Sequence, residues 1–253
     1  MSFLGSLRNL MGQKMAEGAT EPVAAPEWEP GSVDDLIERH LRARGGRERL
    51  AAVQALRMTG RVTGGELKNF PVMVLKKRPD RYLRRIEDRG SVTLQAVDRE
   101  IAWEHGEAIE APRPAAMARA AVRRFRRLAD FDGVWIDAEA KGHKLELAGR
   151  ERVEGVGTFK IKATFEGAER PGFYFFDPRT FLLIKNLEMA PAPEGGVVPT
   201  ETWFRDFREV GGLLWPFTEV LAVPRLGVRQ TFTWESIEVD VPLEDEIFRM
   251  PQR

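Results

Sequence analysis

From Leu56 to Val239, apolar residues recur at every second position in one segment after another, with Gly, Pro or Asp between segments. Successive side chains of a strand point to opposite faces, so this period predicts strands with one buried and one solvated side. Leu56, Met58 and Val62 alternate with Arg57, Thr59 and Arg61; Phe70, Val72 and Val74 follow the turn at Gly64-Gly65; Tyr82 and Ile86 follow Pro79. Further strands are expected at 92–97, 100–105, 143–150, 157–166, 171–177, 180–188, 200–209, 213–223 and 228–239. Such alternation suits an antiparallel sheet, because a parallel sheet covered on both faces shows continuous apolar runs, and the short spacers predict hairpins in a meander. The last strand changes phase at Ser236: Phe232 and Trp234 share one face, then Ile237 and Val239 resume the rhythm one position late. A β-bulge produces that shift and bends the strand.

Three segments carry helical spacing instead. Ser32-Val33-Asp34-Asp35 has capping-box spacing, and the stripe Leu36, Ile37, His40, Leu41 stops at Gly45-Gly46, predicting a helix over 33–44. Arg47 to Ala55 reads as a second short helix. Pro112 and Pro114 can open a third, in which Met117, Ala121, Phe125 and Leu128 form the stripe and Asp130 to Gly133 ends it. Its other side carries Arg119, Arg123, Arg126 and Arg127, with Arg124 at the edge of the stripe. These helices are few for about eleven strands, so a curved sheet closing partly on itself is the economical way to cover the apolar face. The fold class is mainly β with an α contribution: two N-terminal helices, a central helix and a concave apolar side suited to a ligand.

Composition removes more functions than it suggests. Lys+Arg and Asp+Glu are both 39 in 253 residues, so no overall charge favours nucleic acid, and the Arg-rich helix reads as a solvated face or a contact for anionic lipid. There is no cysteine, and His40, His105 and His143 have no partners at metal-ligand spacing, so no metal and no cofactor is expected. No nucleophile elbow, P-loop or dinucleotide fingerprint occurs, and alternation places no convincing acid/base pair on the concave side; no catalytic residue and no enzyme activity are expected. Residues 1–31 form an N-terminal region: Phe3, Leu4, Leu7, Leu10, Met11 and Met15 mark Met1 to Met15 as an amphipathic segment with membrane-contact potential, and Glu21 to Gly31 is a Pro-rich linker. Residues 32–253 then make one domain. No apolar run reaches the ~20 residues of a spanning helix, and the start is too short in apolar core for a signal peptide.

The order of the pieces resembles a known family. The helix ending RARGGRERL, the strand ALRMTGRV, the turn KKRPDRY, the segment ADFDG, then KGHKLEL, FDPRTFLLIK, FRDFREVGGLLWPF and the ending VPLEDEIFRMP are together similar to the outer-membrane lipoprotein-sorting (LolA-like) proteins of bacteria. The resemblance implies a half-open barrel of antiparallel strands around an apolar cavity, helices forming a lid, and monomeric, non-catalytic carriage of lipid or lipoprotein acyl chains in the periplasm or cell envelope. The family's K-R-P motif falls on Lys77, Arg78 and Pro79, which makes Arg78, with Arg124 on the helix, the expected lid latch. The expected ligand-facing residues are Met58, Val72, Val74, Tyr82, Trp103, Met117, Phe125, Phe159, Ile161, Phe173, Phe175, Trp203, Trp215, Phe232 and Trp234. The sequence departs from the family at Asp98-Arg99-Glu100-Ile101-Ala102-Trp103, which lacks the usual Gly, so that turn must be built differently. A location outside the periplasm, or an altered start, is the alternative that the missing signal peptide raises. The alternative function is a membrane-surface or envelope scaffold with a filled cavity, tethered through Met1 to Met15.

Overall fold

The computed structural model describes residues 28–251 apart from 66, 100, 118, 169 and 193–195. Met1 to Met15, expected to be amphipathic, and most of the Pro-rich linker lie outside the described residues. Helices α1 (Val33–Ala43) and α2 (Arg47–Ala52) precede β1 (Ala55–Gly64), β2 (Leu67–Lys77), β3 (Arg81–Asp88), β4 (Ser91–Asp98), β5 (Ile101–Gly106) and β6 (Ala111–Ala116). Helix α3 (Arg119–Ala129) leads to β7 (His143–Val153), β8 (Val156–Phe165), β9 (Gly172–Phe176), β10 (Leu183–Pro191), β11 (Val197–Val210), β12 (Leu213–Val223) and β13 (Val228–Val239). Ser32 caps α1 as its spacing predicts, its Oγ accepting from the Asp35 N–H at 3.1 Å.

The strands form one antiparallel sheet of thirteen, rather than about eleven, in the order β6-β5-β4-β3-β2-β1-β13-β12-β11-β10-β9-β8-β7. The first and last strands pair at the middle, and the edges, β6 and β7, which are unpaired among the described residues, are joined in sequence through α3. Helix α3 packs on β3, β4 and β5 from one arm and on β10 from the other. In the sheet order β3 and β10 are six strand steps apart, which would be about 29 Å in a flat sheet. A helix about 10–12 Å wide touches both only if the sheet is rolled. The architecture is therefore a half barrel open between β6 and β7.

Two features of the sequence set that curvature. Thr59 pairs with Ser236 and Gly60 with Trp234, so Glu235 is the unpaired extra residue of a bulge at the expected phase change. A Cβ on Gly60 would lie 2.1 Å from the Thr233 carbonyl oxygen, so only glycine allows the close approach there. The expected helix start at Pro112 is corrected: Pro112 and Pro114 belong to β6, and α3 begins at Arg119. Among the described residues strand β6 is an edge paired only with β5, so two residues without N–H groups are tolerated and also block further pairing.

The main core fills the concave side, where α1 contributes Leu36, Ile37 and Leu41 and α3 contributes Phe125, packed edge-on against Tyr82 at 5.8 Å. A smaller cluster occupies the convex side, where Ala55, Leu75, Leu83, Ala96 and Trp103 meet Leu243 and Phe248 of the closing segment. VPLEDEIFRMP is thus a strap over the back of the sheet. The Trp103 indole N–H donates to the Phe248 carbonyl at 2.8 Å, and Asp245 pairs with Lys77 at 2.6 Å and Arg81 at 2.9 Å. The turn after β4 is made with Arg99 in the left-handed region, at φ 56°.

Candidate functional site

Beneath α3 the concave face encloses a cavity of about 280 Å³, at the small end of the range for ligand sites. Leu56 and Met58 of β1, Leu128 of α3, Phe131, Val134 and Trp135 after it, Leu183 and Met189 of β10, Phe204 and Phe207 of β11 and Trp215 of β12 make its apolar wall. Arg44, Lys76, Arg124, Arg127, Asp130, Glu188 and Glu219 also line it, as do Thr200, Thr202 and Asn186. The lining is apolar for the larger part, with these charged and polar groups set into it.

The expected ligand-facing residues separate into three groups. Met58, Trp215 and Arg124 line the cavity. Val72, Val74, Tyr82, Phe125, Phe159, Ile161, Phe232 and Trp234 lie in the concave core behind its walls, and Met117 packs against that core. Trp103, Phe173, Phe175 and Trp203 do not reach the cavity. Trp103 belongs to the convex cluster. Tyr174, not its neighbours, pairs opposite Ile161, which sends Phe173 and Phe175 to the outer face beneath Lys160, whose Nζ stands 4.4 Å and 5.5 Å from their ring centres. Trp203 lies outside as well, between Lys185 at 4.9 Å and Arg229 at 5.3 Å.

Several wall residues carried weak or no signal in the sequence. Phe204 and Phe207 both line the cavity although they are three positions apart, because Asp206 adopts a left-handed φ of 54° and breaks the alternation. Trp135 sits in a segment that reads as a turn, yet its ring packs edge-on against His40, Tyr174 and Phe176 at 5.7, 4.9 and 5.3 Å. The run Phe131 to Ile136 is core in a stretch with no period.

Arg78 does not line the cavity but stands beside Phe131 of its wall. Its Nη1 and Nη2 donate to the two Asp132 oxygens at 2.9 and 2.7 Å, Nε donates to the Val53 carbonyl at 2.7 Å and Nη2 to the Leu50 carbonyl at 3.2 Å. One guanidinium thus joins the strand β2 turn, the end of α2 and the segment following α3, with its plane 5.1 Å from the Phe131 ring. Burial alone would raise the Asp132 carboxyl, but the bonds and charge of Arg78, with the charges of Lys141 and Arg47, outweigh it and hold the group below the usual carboxylate range. Arg124 makes no ion pair with a described acid, so it does not share this arrangement. The helix is instead tied by its neighbours: Arg126 donates to the Arg99 carbonyl at 2.7 Å, and Arg127 pairs with Glu188 of β10 at 3.3 Å. Tyr174 completes the second contact, its hydroxyl donating to Glu188 at 2.5 Å.

Three cations in the wall, Arg44, Lys76 and Arg124, have no ion pair among the described residues, and burial lowers the affinity of each for its proton, Arg44 to about 10. Burial raises the Glu219 carboxyl, against the Trp234 indole N–H that donates to it at 3.2 Å and the charge of Lys76. His40 is held neutral: burial first and the Arg44 charge second lower its pKa to about 3, against a bond from Nδ1–H to the Phe181 carbonyl at 2.9 Å. Its Nε2 and the Thr200 hydroxyl have no partner among the described residues.

These features define a half barrel of one antiparallel sheet, crossed by α3, around a cavity of mixed lining. The fold is LolA-like, as the order of the sequence pieces implies. It is shared with a DUF1329 family protein from Desulfovibrio piger, at a TM-score of 0.58 and 15% identity over 86% of this chain and 97% of that one. A LolA superfamily protein from Nitrosomonas europaea is similar at a TM-score of 0.54 and 12% identity, covering 87% and 98% of the two chains. A Vibrio parahaemolyticus domain described as an outer membrane lipoprotein-sorting protein is similar at 0.52 and 11%, covering 84% and 97%. No protein-family model matches the sequence, and no curated protein matches it.

Proposed function

We propose that this protein binds the hydrocarbon chain of a lipid or lipoprotein in the cavity beneath α3, by reversible burial and without covalent chemistry. The observation that carries this reading is the sheet left open between its two edges, with a helix laid across the concave face over unfilled space. A sheet built only for stability would fill that space, since interiors otherwise pack to crystal-like density. Eight methylenes moved from water into such a wall contribute roughly 6 kcal/mol, enough to hold a chain without any directional contact. Arg78 and Asp132 act as the latch: when their bonds open, the segment after α3 is released and the helix can move off the cavity. The LolA-like fold supports a role in the cell envelope, in keeping with the lipoprotein-sorting description of the Vibrio domain. Native mass spectrometry after mild purification and displacement of a fluorescent fatty acid test the reading. A lipid-sized adduct and saturable displacement are expected; no adduct together with no displacement would refute it.

A further inference from the structure

We infer that the guest is an anionic amphiphile, a hydrocarbon chain ending in a carboxylate or phosphate monoester, whose head is received by Arg44, Lys76 and Arg124. This deepens the acyl-chain reading and rests on it. The three cations reach one cavity from three different elements, the end of α1, strand β2 and helix α3, and none forms an ion pair with a described acid. The acids of the same wall do not balance them. Glu188 is engaged by Arg127 at 3.3 Å, and Asp130 by Lys141 at 2.7 Å. Glu219 remains: its bond comes from the Trp234 indole, and its charge acts on Lys76 without forming an ion pair.

Each of the three is half-buried without a paired acid, Arg44 donating only from Nε to the Leu214 carbonyl at 3.3 Å, and a wall meant only for hydrocarbon would be more stable with Met or Leu in these positions. Cations from separate elements that line the same unfilled space make sense when an anion completes the set. A second, independent feature points the same way: Thr200 is only 5% exposed, lines the cavity, and its hydroxyl has no partner among the described residues. A hydroxyl can donate to an anionic oxygen, so Thr200 offers a neutral donor on the same cavity wall. The chain then follows the apolar wall at Met58, Leu128 and Trp215.

The test compares three probes by calorimetry with the full chain: decyl phosphate, decanol and inorganic phosphate. Decyl phosphate is expected to bind at least about tenfold more tightly than decanol, and inorganic phosphate far more weakly than either. In Lys76→Met and Arg124→Met, singly and together, the ratio of decyl phosphate to decanol affinity should fall toward one; circular dichroism and urea unfolding show that the variants fold. Equal binding of decyl phosphate and decanol by the natural sequence would overturn the anionic head and leave the acyl-chain reading standing. A preference undiminished in the double variant would overturn the assigned residues. Inorganic phosphate binding as tightly as decyl phosphate would identify a free-anion site and overturn the amphiphile. Failure of all three probes would sink the acyl-chain reading and this inference with it.

Discussion

If Arg78 latches the lid, its contribution should be measurable as a coupling with Asp132. Arg78→Met removes two bonds to Asp132 and the two to the Leu50 and Val53 carbonyls, leaving a carboxylate that is 17% exposed without its partner. Breaking a fully buried pair from one side typically costs 3–5 kcal/mol; both side chains keep some contact with water, Arg78 being 20% exposed, so about 3 kcal/mol is expected here. Asp132→Ala should lose about 2 kcal/mol, because Arg78 retains its two carbonyl acceptors. Since both substitutions remove the same pair of bonds, the double variant should be more stable than the sum predicts by about 2 kcal/mol. Urea unfolding of the four proteins, with midpoints converted through a common slope, gives this number. The coupling carries a pH signature: the Asp132 carboxyl is depressed in the folded state, so its stabilisation is fully present above the ordinary carboxylate pKa and is lost as pH falls through the depressed value. If the pair also gates the cavity, weakening it by 2 kcal/mol should speed release of a fluorescent fatty acid roughly thirtyfold. A coupling within about 0.5 kcal/mol of zero would refute the structural argument. A normal coupling with an unchanged release rate would refute the gate and keep the bond.

Other consequences follow from single residues. His40 has a folded pKa of about 3 against about 6.5 in an unfolded chain, so the unfolded state takes up a proton that the folded state refuses. Stability should be complete above pH ~6.5 and fall by roughly 2–3 kcal/mol on descending to pH ~4.5, before most carboxylates titrate. In His40→Gln that part of the pH curve should be flat, and an unaltered slope in urea titrations would contradict the assignment. Gly60→Ala should cost about 1–3 kcal/mol, because its Cβ would meet the Thr233 carbonyl at the bulge, and an unchanged melting temperature would show that the β1–β13 pair yields freely. Trp103→Phe leaves the Phe248 carbonyl without its donor and should lower stability by about 1–3 kcal/mol, yet leave fatty-acid affinity unchanged because Trp103 lies on the convex face. A tenfold loss of affinity in that variant would contradict the placement.

The individual elements of this protein were determined by its sequence. Alternation over 56–62 or 157–166 forces strands with one apolar face whatever surrounds them, and Ser32 ahead of Leu36 starts α1, because these effects act within a few residues. The bulge was readable for the same reason, as a displaced rhythm at Ser236. Only the tertiary structure decided which face lines the cavity. Gly172 to Phe176 carries aromatics on both sides, and the choice of Tyr174 over Phe173 and Phe175 comes from register against β8, a relation between strands. Phe204 and Phe207 share the cavity through a single left-handed residue, Asp206, which no period announces. Phe131 to Ile136 is buried only because the helix before it crosses an open sheet. Least readable were Arg44 and Lys76, dispersed among many surface cations in the sequence and brought with Arg124 to one hollow by the curl of the sheet. Local order follows from local chemistry; the meeting of charges far apart in the chain depends on how the whole sheet rolls.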